Sequence, residues 1–209
     1  MQQVYWMGGS PCAGKTTIAH ILAQEYGWQT YHIDRHVETY LKDATDQAQP
    51  TLCAYRRGGL RAFLSDPPQK QLEAVQAISH EQFSFILAAV RKMDDSAPIL
   101  IEGANMLVQD VLSAAVDLAH IIWLVPTEEF LLRAYPRRGT WVQDVLRQNF
   151  PEEQRLEIFD HWMLRDSMMA EWTANEARKH DVAVITVDGS QSIRENAALV
   201  AHYFGLPNI

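Results

Sequence analysis

Cysteine is scarce in this chain. Of 209 residues only Cys12 and Cys53 carry thiols, and they form neither a CxxC pair nor a zinc-like spacing. That excludes a disulfide framework and points to a reducing compartment. A cationic surplus is also missing: 18 lysines and arginines stand against 26 aspartates and glutamates, a formal net charge of −8. Such a balance disfavours a nucleic-acid backbone as main partner, yet leaves room for a local basic pocket that takes a small anion. No apolar run reaches the roughly 18 residues of a membrane span. The opening MQQVYWMGGSP has no basic region followed by a long apolar stretch, so neither a signal peptide nor a membrane partner is read from it. Internal repeats and low-complexity tracts are absent. The expectation is a soluble cytoplasmic protein, monomeric or homodimeric, with the whole of 1–209 as one domain.

What is present is an alternation of short apolar runs with longer helical patterns, which predicts an α/β protein with a parallel sheet covered on both faces. Five runs are predicted strands: Val4 to Met7, Thr30 to Ile33, Ile99 to Ile101, Ile121 to Val125 and Val182 to Val187. Four of them end at Gly8-Gly9, Asp34, Glu102-Gly103 and Asp188-Gly189, and ligands of open α/β sheets collect at such carboxyl ends. Lys15 to Tyr26 predicts a helix with Ile18, Ile21 and Leu22 on one face and Gly27 as its stop. Residues 37–95 form a long helical excursion broken by Pro50, Gly58-Gly59 and Pro67-Pro68. A second excursion, from Pro126 to His180, contains Arg133, Arg137 and Arg138 beside Pro136 and Gly139. Ser192 to Phe204 predicts a closing helix.

Residues 9–16 read Gly-Ser-Pro-Cys-Ala-Gly-Lys-Thr and match the Walker A pattern G-x-x-x-x-G-K-[ST]. A loop that wraps phosphate must turn successive backbone N–H groups inward, and glycine permits both the angles and the close approach. The helix beginning at Lys15 adds the partial positive charge of its N-terminus. Gly9, Ser10, Pro11, Cys12, Ala13, Gly14, Lys15, Thr16 and Thr17 are therefore candidate nucleotide-binding residues. Lys15 is placed to reach the β- and γ-phosphates, and the Thr16 hydroxyl is a candidate Mg²⁺ ligand. Cys12, inside this loop, reads either as an oxidation-sensitive thiol near phosphate or as a small loop residue. The N-K-x-D and D-x-x-G elements of GTPases and the L-S-G-G-Q of transporter ATPases are absent.

With GGSPCAGKTTIA, YHIDRH, ILIEG and the arginine-rich segment after the fourth strand, the chain resembles the nucleoside monophosphate kinase-like group, which includes shikimate kinase, gluconate kinase and chloramphenicol phosphotransferase. The resemblance spans most of the chain in order and spacing, and its Walker A part is the specific one. It implies a three-layer P-loop fold with a five-stranded parallel sheet in order 2-3-1-4-5, an acceptor-binding helical region at 37–95 and a lid at 126–165. It further implies ATP and Mg²⁺ as cofactors and a small-molecule phosphate acceptor as partner. The closing VDGSQSIRENAALVAHYFGL resembles the ends of such kinases, where the loop after the last strand lies near adenine, which makes Gly189 and Ser190 candidate nucleotide contacts. Where shikimate kinase has Asp-x-Asp after its second strand this chain has a single Asp34, and Glu102-Gly103 stands where nucleoside monophosphate kinases carry Asp-Gly. These departures bear on the acceptor more than on the donor.

Phosphoryl transfer needs charge neutralisation and alignment, and candidates exist for each role. Asp34 is a candidate to orient or deprotonate an acceptor hydroxyl or to hold a Mg²⁺-bound water; the alternative is a helix N-cap. Glu102, with Gly103 after it, is a candidate acid for Mg²⁺ or the acceptor; a plain strand-end ion pair is the alternative. Arg133, Arg137 and Arg138 are candidate lid residues for phosphoryl oxygens, against a solvated cationic helix end. Arg56 and Arg57, with Arg61, flank Gly58-Gly59 and suit an anionic group on the acceptor, or a solvated charge run. Arg165 reads as a further phosphate contact or as an ion pair with Asp160 or Asp166. His36 borders the expected acceptor side, and Trp28, Trp141, Trp162 and Trp172 read as packing residues. The activity so implied is transfer of the ATP γ-phosphoryl group to a hydroxyl or phosphate of a small metabolite. The competing expectation is an ATP-hydrolysing regulatory protein that acts on a protein partner.

Overall fold

A computed structural model describes residues 3–115 and 117–208, with the side chain of Arg138 outside the description. Five parallel strands, β1 (Val4–Gly9), β2 (Gln29–His32), β3 (Ile99–Glu102), β4 (Ile121–Pro126) and β5 (Ala183–Val187), form one sheet in the order β2-β3-β1-β4-β5. Parallel strands need helical crossovers, and these cover both faces. Helices α1 (Lys15–Tyr26) and α9 (Ile193–Tyr203) pack on one face, where Met7, Ile18, Leu22, Leu100, Leu124 and Val200 are buried together. On the other face α4 (Pro68–Val90) and α8 (Glu152–Lys179) bury Trp6, Phe83, Ile86, Ile99, Ile101 and Trp123.

The strands follow from the residue pattern. Every residue of β3 and β4 is buried, as expected of near-continuous β-branched and aliphatic runs inside a sheet covered on both sides. Side chains alternate between faces, so Leu100 and Glu102 share the α1 face while Ile99 and Ile101 take the other. Register then aligns His32 with Glu102 on β3 and Met7 with Glu102 from the other side. Trp123 is fully buried, and its indole donates to Thr173 Oγ1 at 2.8 Å, so the one polar group of the ring is satisfied.

The excursions divide where proline and glycine predict. Beyond β2 a 3₁₀ turn (Ile33–His36) leads into α2 (Val37–Asp43). Helix α3 (Pro50–Ser65) starts on Pro50 and is kinked at Gly59, whose φ is 72°; Pro67 and Pro68 then start α4. After β3 comes the short α5 (Val108–Ala114). Beyond β4 lie α6 (Glu128–Ala134), a 3₁₀ turn (Tyr135–Arg138) and α7 (Trp141–Asn149), before the long α8 returns to β5. A third apolar cluster joins these pieces: Leu64 of α3, Leu131 of α6, Tyr135, Val142 and Leu146 of α7, and Trp162 of α8. The predicted second strand runs one residue earlier than expected, so Asp34 sits in the 3₁₀ turn and His32 closes the strand. Among the described residues no helix is long and apolar enough to cross a membrane.

Candidate functional site

The loop between β1 and α1 is shaped by two glycines. Gly9 has φ 122°, and a Cβ there would stand 1.9 Å from the Leu124 carbonyl oxygen, so no side chain fits. Gly14, at φ 79°, is the left-handed residue from which α1 starts. Ser10 N donates to Leu124 O at 3.1 Å, which ties the loop to β4, and Cys12 takes a left-handed φ of 66° at the loop's tip. The first turn of α1 holds no acidic residue, so its N–H groups and dipole favour an anion. Lys15 is 6% exposed and its Nζ donates to Ser10 O at 2.7 Å, folded against the loop it serves.

Thr16 and Glu102 come together beneath the loop. Thr16 Oγ1 donates to Glu102 Oε1 at 3.0 Å, and His32 Nδ1 lies 2.7 Å from the same oxygen. Glu102 is 2% exposed, and its second oxygen, Oε2, is buried without a hydrogen-bond partner. An orphaned carboxylate oxygen beside a P-loop threonine suits a divalent cation that keeps much of its water and takes its other ligands from phosphate. Among the described residues no group of three or more His, Cys, Asp and Glu side chains forms a cage of its own.

In front of the loop opens a cleft of about 540 Å³. Pro11, Cys12, Ala13, Gly14, Lys15, Thr16 and Thr17 form its floor, with Asp34 in the turn after β2 and Glu102 at the end of β3. Arg133 and Arg137 face them from α6 and the turn after it, and Gly189 with Phe130 closes the side near β5. Arg133 Nη2 donates to Asp188 O at 3.2 Å, which holds the last turn of α6 against the loop after β5. The Asp188 carboxyl lies below the ordinary carboxylate range because the Ser190 hydroxyl and N–H both donate to it.

Other predicted site residues are employed differently. Gly9 and Ser10 shape the loop from behind, and Ser190 is turned to Asp188. A Cβ on Gly103 would meet Ile33 Cβ at 2.8 Å, so this glycine serves close packing of β3 on the turn after β2. Arg56 and Arg57 do not line the cleft. The Arg56 guanidinium donates to the carbonyls of Leu41, Lys42 and Ala44 at 2.6 to 3.3 Å, where α2 ends and its dipole is negative. Arg57 pairs with Asp46 at 2.6 Å in solvent. The side chain of Arg138, a predicted lid residue, lies outside the described residues. Arg165 is buried, with Nε 2.6 Å from Asp166 Oδ1 in an ion pair whose angle makes no hydrogen bond, and with its guanidinium over the Phe63 ring. Asp166 also accepts from the Tyr135 hydroxyl, and burial pushes that phenol above its ordinary range.

Sequence reasoning missed His32 and Phe130. It singled out His36, which stacks on Tyr31 with ring centroids 4.5 Å apart, outside the cleft lining. The available signal for His32 was alternation: Thr30 and His32 are the two polar residues of one face of β2.

No protein-family model and no curated protein matches this chain. Among solved structures, TT1252 from Thermus thermophilus shares 18% identity with it at a TM-score of 0.53, over 99% of each chain. A gluconokinase from Sinorhizobium meliloti 1021 is 15% identical with a TM-score of 0.45, over 98% of this chain and 91% of the other. A shikimate kinase from Acinetobacter baumannii, solved in complex with shikimate, is 18% identical with a TM-score of 0.44, over 97% and 92%. The sheet order, the loop joining β1 to α1 and the likeness to the Thermus protein show that this chain has the three-layer P-loop fold implied by its resemblance to the kinases of the nucleoside monophosphate kinase-like group.

Proposed function

We propose that this protein is a kinase that transfers the γ-phosphoryl group of ATP to a hydroxyl or phosphate of a small metabolite. The observation that carries the reading is a single cleft with a phosphate loop and buried Glu102 on one wall and Asp34, Arg133 and Arg137 around the opening. A loop that only held nucleotide would need the first wall alone.

The roles follow from chemistry. Backbone N–H groups of residues 12–16 and Lys15 Nζ hold the β- and γ-phosphates, for which Lys15 leaves the Ser10 carbonyl. Thr16, with Glu102 behind it, would hold Mg²⁺, which when bound neutralises charge on the phosphoryl oxygens. Asp34 orients the acceptor hydroxyl and takes its proton as the new O–P bond forms and the bond to the β–γ bridging oxygen breaks. Arg137 and Arg133 stabilise the charge on the transferring group. Gly189 and Phe130 border the base.

The test is release of ADP in the presence of Mg²⁺ and a panel of hydroxylated, carboxylated and phosphorylated small molecules. Acceptor-dependent release is expected, and Asp34→Asn should lower it by about 10² to 10⁴-fold while leaving nucleotide affinity in place. Hydrolysis indifferent to every acceptor and stimulated by a protein would overturn the reading in favour of a regulatory ATPase.

A further inference from the structure

His32 has no part in the roles above, yet it is the closest polar neighbour of the residue on which the cation site depends. We infer that His32 is a positioning residue: through its Nδ1 contact it fixes the rotation of the Glu102 carboxylate and so tunes affinity for the Mg²⁺ form of the nucleotide. The inference rests on the reading of the loop as a Mg²⁺-nucleotide site.

Four observations support it. Parallel register sets His32 directly beside Glu102, and alternation turns both toward α1. Both side chains are withdrawn from water, at 6% and 2% exposure. The contact is 2.7 Å, and a carboxylate can only accept, so the proton of that bond sits on Nδ1 of the imidazole. The far nitrogen is engaged as well: Nε2 lies 3.0 Å from Thr30 Oγ1, and the His20 ring stands edge-on with centroids 4.9 Å apart. The imidazole is therefore held on both sides and cannot swing away from the acid.

The consequence concerns how one carboxylate divides its two oxygens. Thr16 and His32 both use Oε1, while Oε2 has no hydrogen-bond partner. Two donors on one oxygen leave the other as the acceptor that an ion's water shell can use. They also keep the Thr16 hydroxyl proton directed at Glu102, so that its lone pairs are free for the cation. On the opposite side, β3 is paired to Met7, which offers no hydrogen-bond donor from its side chain. Without His32, Thr16 would be the remaining side-chain donor to Oε1 among the described residues, and nothing would distinguish the two oxygens strongly. Groups that orient a ligand from behind in this way typically change metal affinity by about 10 to 100-fold when removed.

The experiment is calorimetric titration with the non-hydrolysable analogue adenylyl imidodiphosphate, with Mg²⁺ and again with a chelator. Wild type, His32→Ala and His32→Asn are compared, because the asparagine amide nitrogen can occupy the place of Nδ1. For His32→Ala, affinity with Mg²⁺ is expected to fall by about tenfold while affinity under chelator stays unchanged, which also reports that the loop is folded. His32→Asn is expected to recover most of the loss. Equal losses with and without Mg²⁺, no loss in the alanine variant, or an asparagine variant no better than alanine would overturn the inference and leave the nucleotide site standing. A wild type whose affinity is indifferent to Mg²⁺, or absent, would overturn both.

Discussion

The two walls of the cleft are built on different principles. On the phosphate-loop wall the working groups are backbone amides and nearly buried side chains: Lys15 and Glu102 are 6% and 2% exposed and are held by neighbours on the loop, β2 and α1. On the facing wall Arg133 has a side chain 56% exposed, Arg137 is exposed too, and both extend from a short helix and a 3₁₀ turn. The first wall is organised by the fold before any ligand arrives. The second is a set of long, exposed side chains, of which Arg133 is held by the Asp188 carbonyl and Glu129, and such side chains lose more freedom when a ligand draws them in. On the proposed function, grip is therefore a property of the sheet, and alignment of the reacting groups is a property of the excursions.

The sharpest way to break this contrast is Gly9→Ala. Because the new methyl would collide with the Leu124 carbonyl, the variant is expected to lose nucleotide binding altogether in calorimetry and to unfold at clearly lower temperature. On the other wall Arg137→Ala should lower kcat by about 10² to 10³-fold, with nucleotide dissociation constants and melting temperature unchanged. A matching loss of nucleotide affinity would mean that Arg137 belongs to the grip. A smaller effect is expected at the start of α9, whose Ile193 lies where a side chain on Gly14 would reach. Ser192 caps this helix in a reciprocal box with Glu195, so Ser192→Ala should cost about 1 kcal/mol in chemical denaturation.

That same cap carries a pH signature. The Ser192 N–H donates to the Glu195 carboxyl at 2.6 Å and, with a smaller part from the Ser192 side chain, holds that carboxyl below its ordinary range. A carboxyl lowered in the folded state contributes stability above its unfolded value and loses it as pH falls through the folded one. The difference between wild type and Glu195→Gln should thus be full at neutral pH and shrink in acid, as melting curves across that range would record. The smallest effect concerns Arg56. Arg56→Ala removes a cation from the C-terminal carbonyls of α2 and should cost about 0.3 to 1 kcal/mol, leaving kcat/KM for any accepted substrate unaltered. A large rise in KM would instead return Arg56 to the acceptor site.

The same division explains what could be read in the residues alone. The five strand positions, the loop at 9–16, the helix from Lys15 to Tyr26 and the break points at Pro50, Gly59 and Pro67 were legible because each is dictated by a few adjacent residues. Asp34, Glu102, Arg133 and Arg137 were legible as strand-end or lid residues and do meet in one cleft. His32 was not, since its meaning depends on a partner 70 residues away in sequence. The placement of Arg56 and Arg57 was not legible either. Their partners are set by where α2 ends and α3 turns back, which no local pattern encodes.

The strand order has a consequence for how the chain matures during synthesis. β1 is bonded to β3 and β4, never to β2, so when β2 leaves the ribosome the two strands already made are no partners for each other. The loop that follows β1 gains its anchor only when Leu124 emerges. Synthesis must therefore reach β4 before the loop is anchored, and until then the first helical excursion and the unpaired strand edges depend on staying apart from other nascent chains.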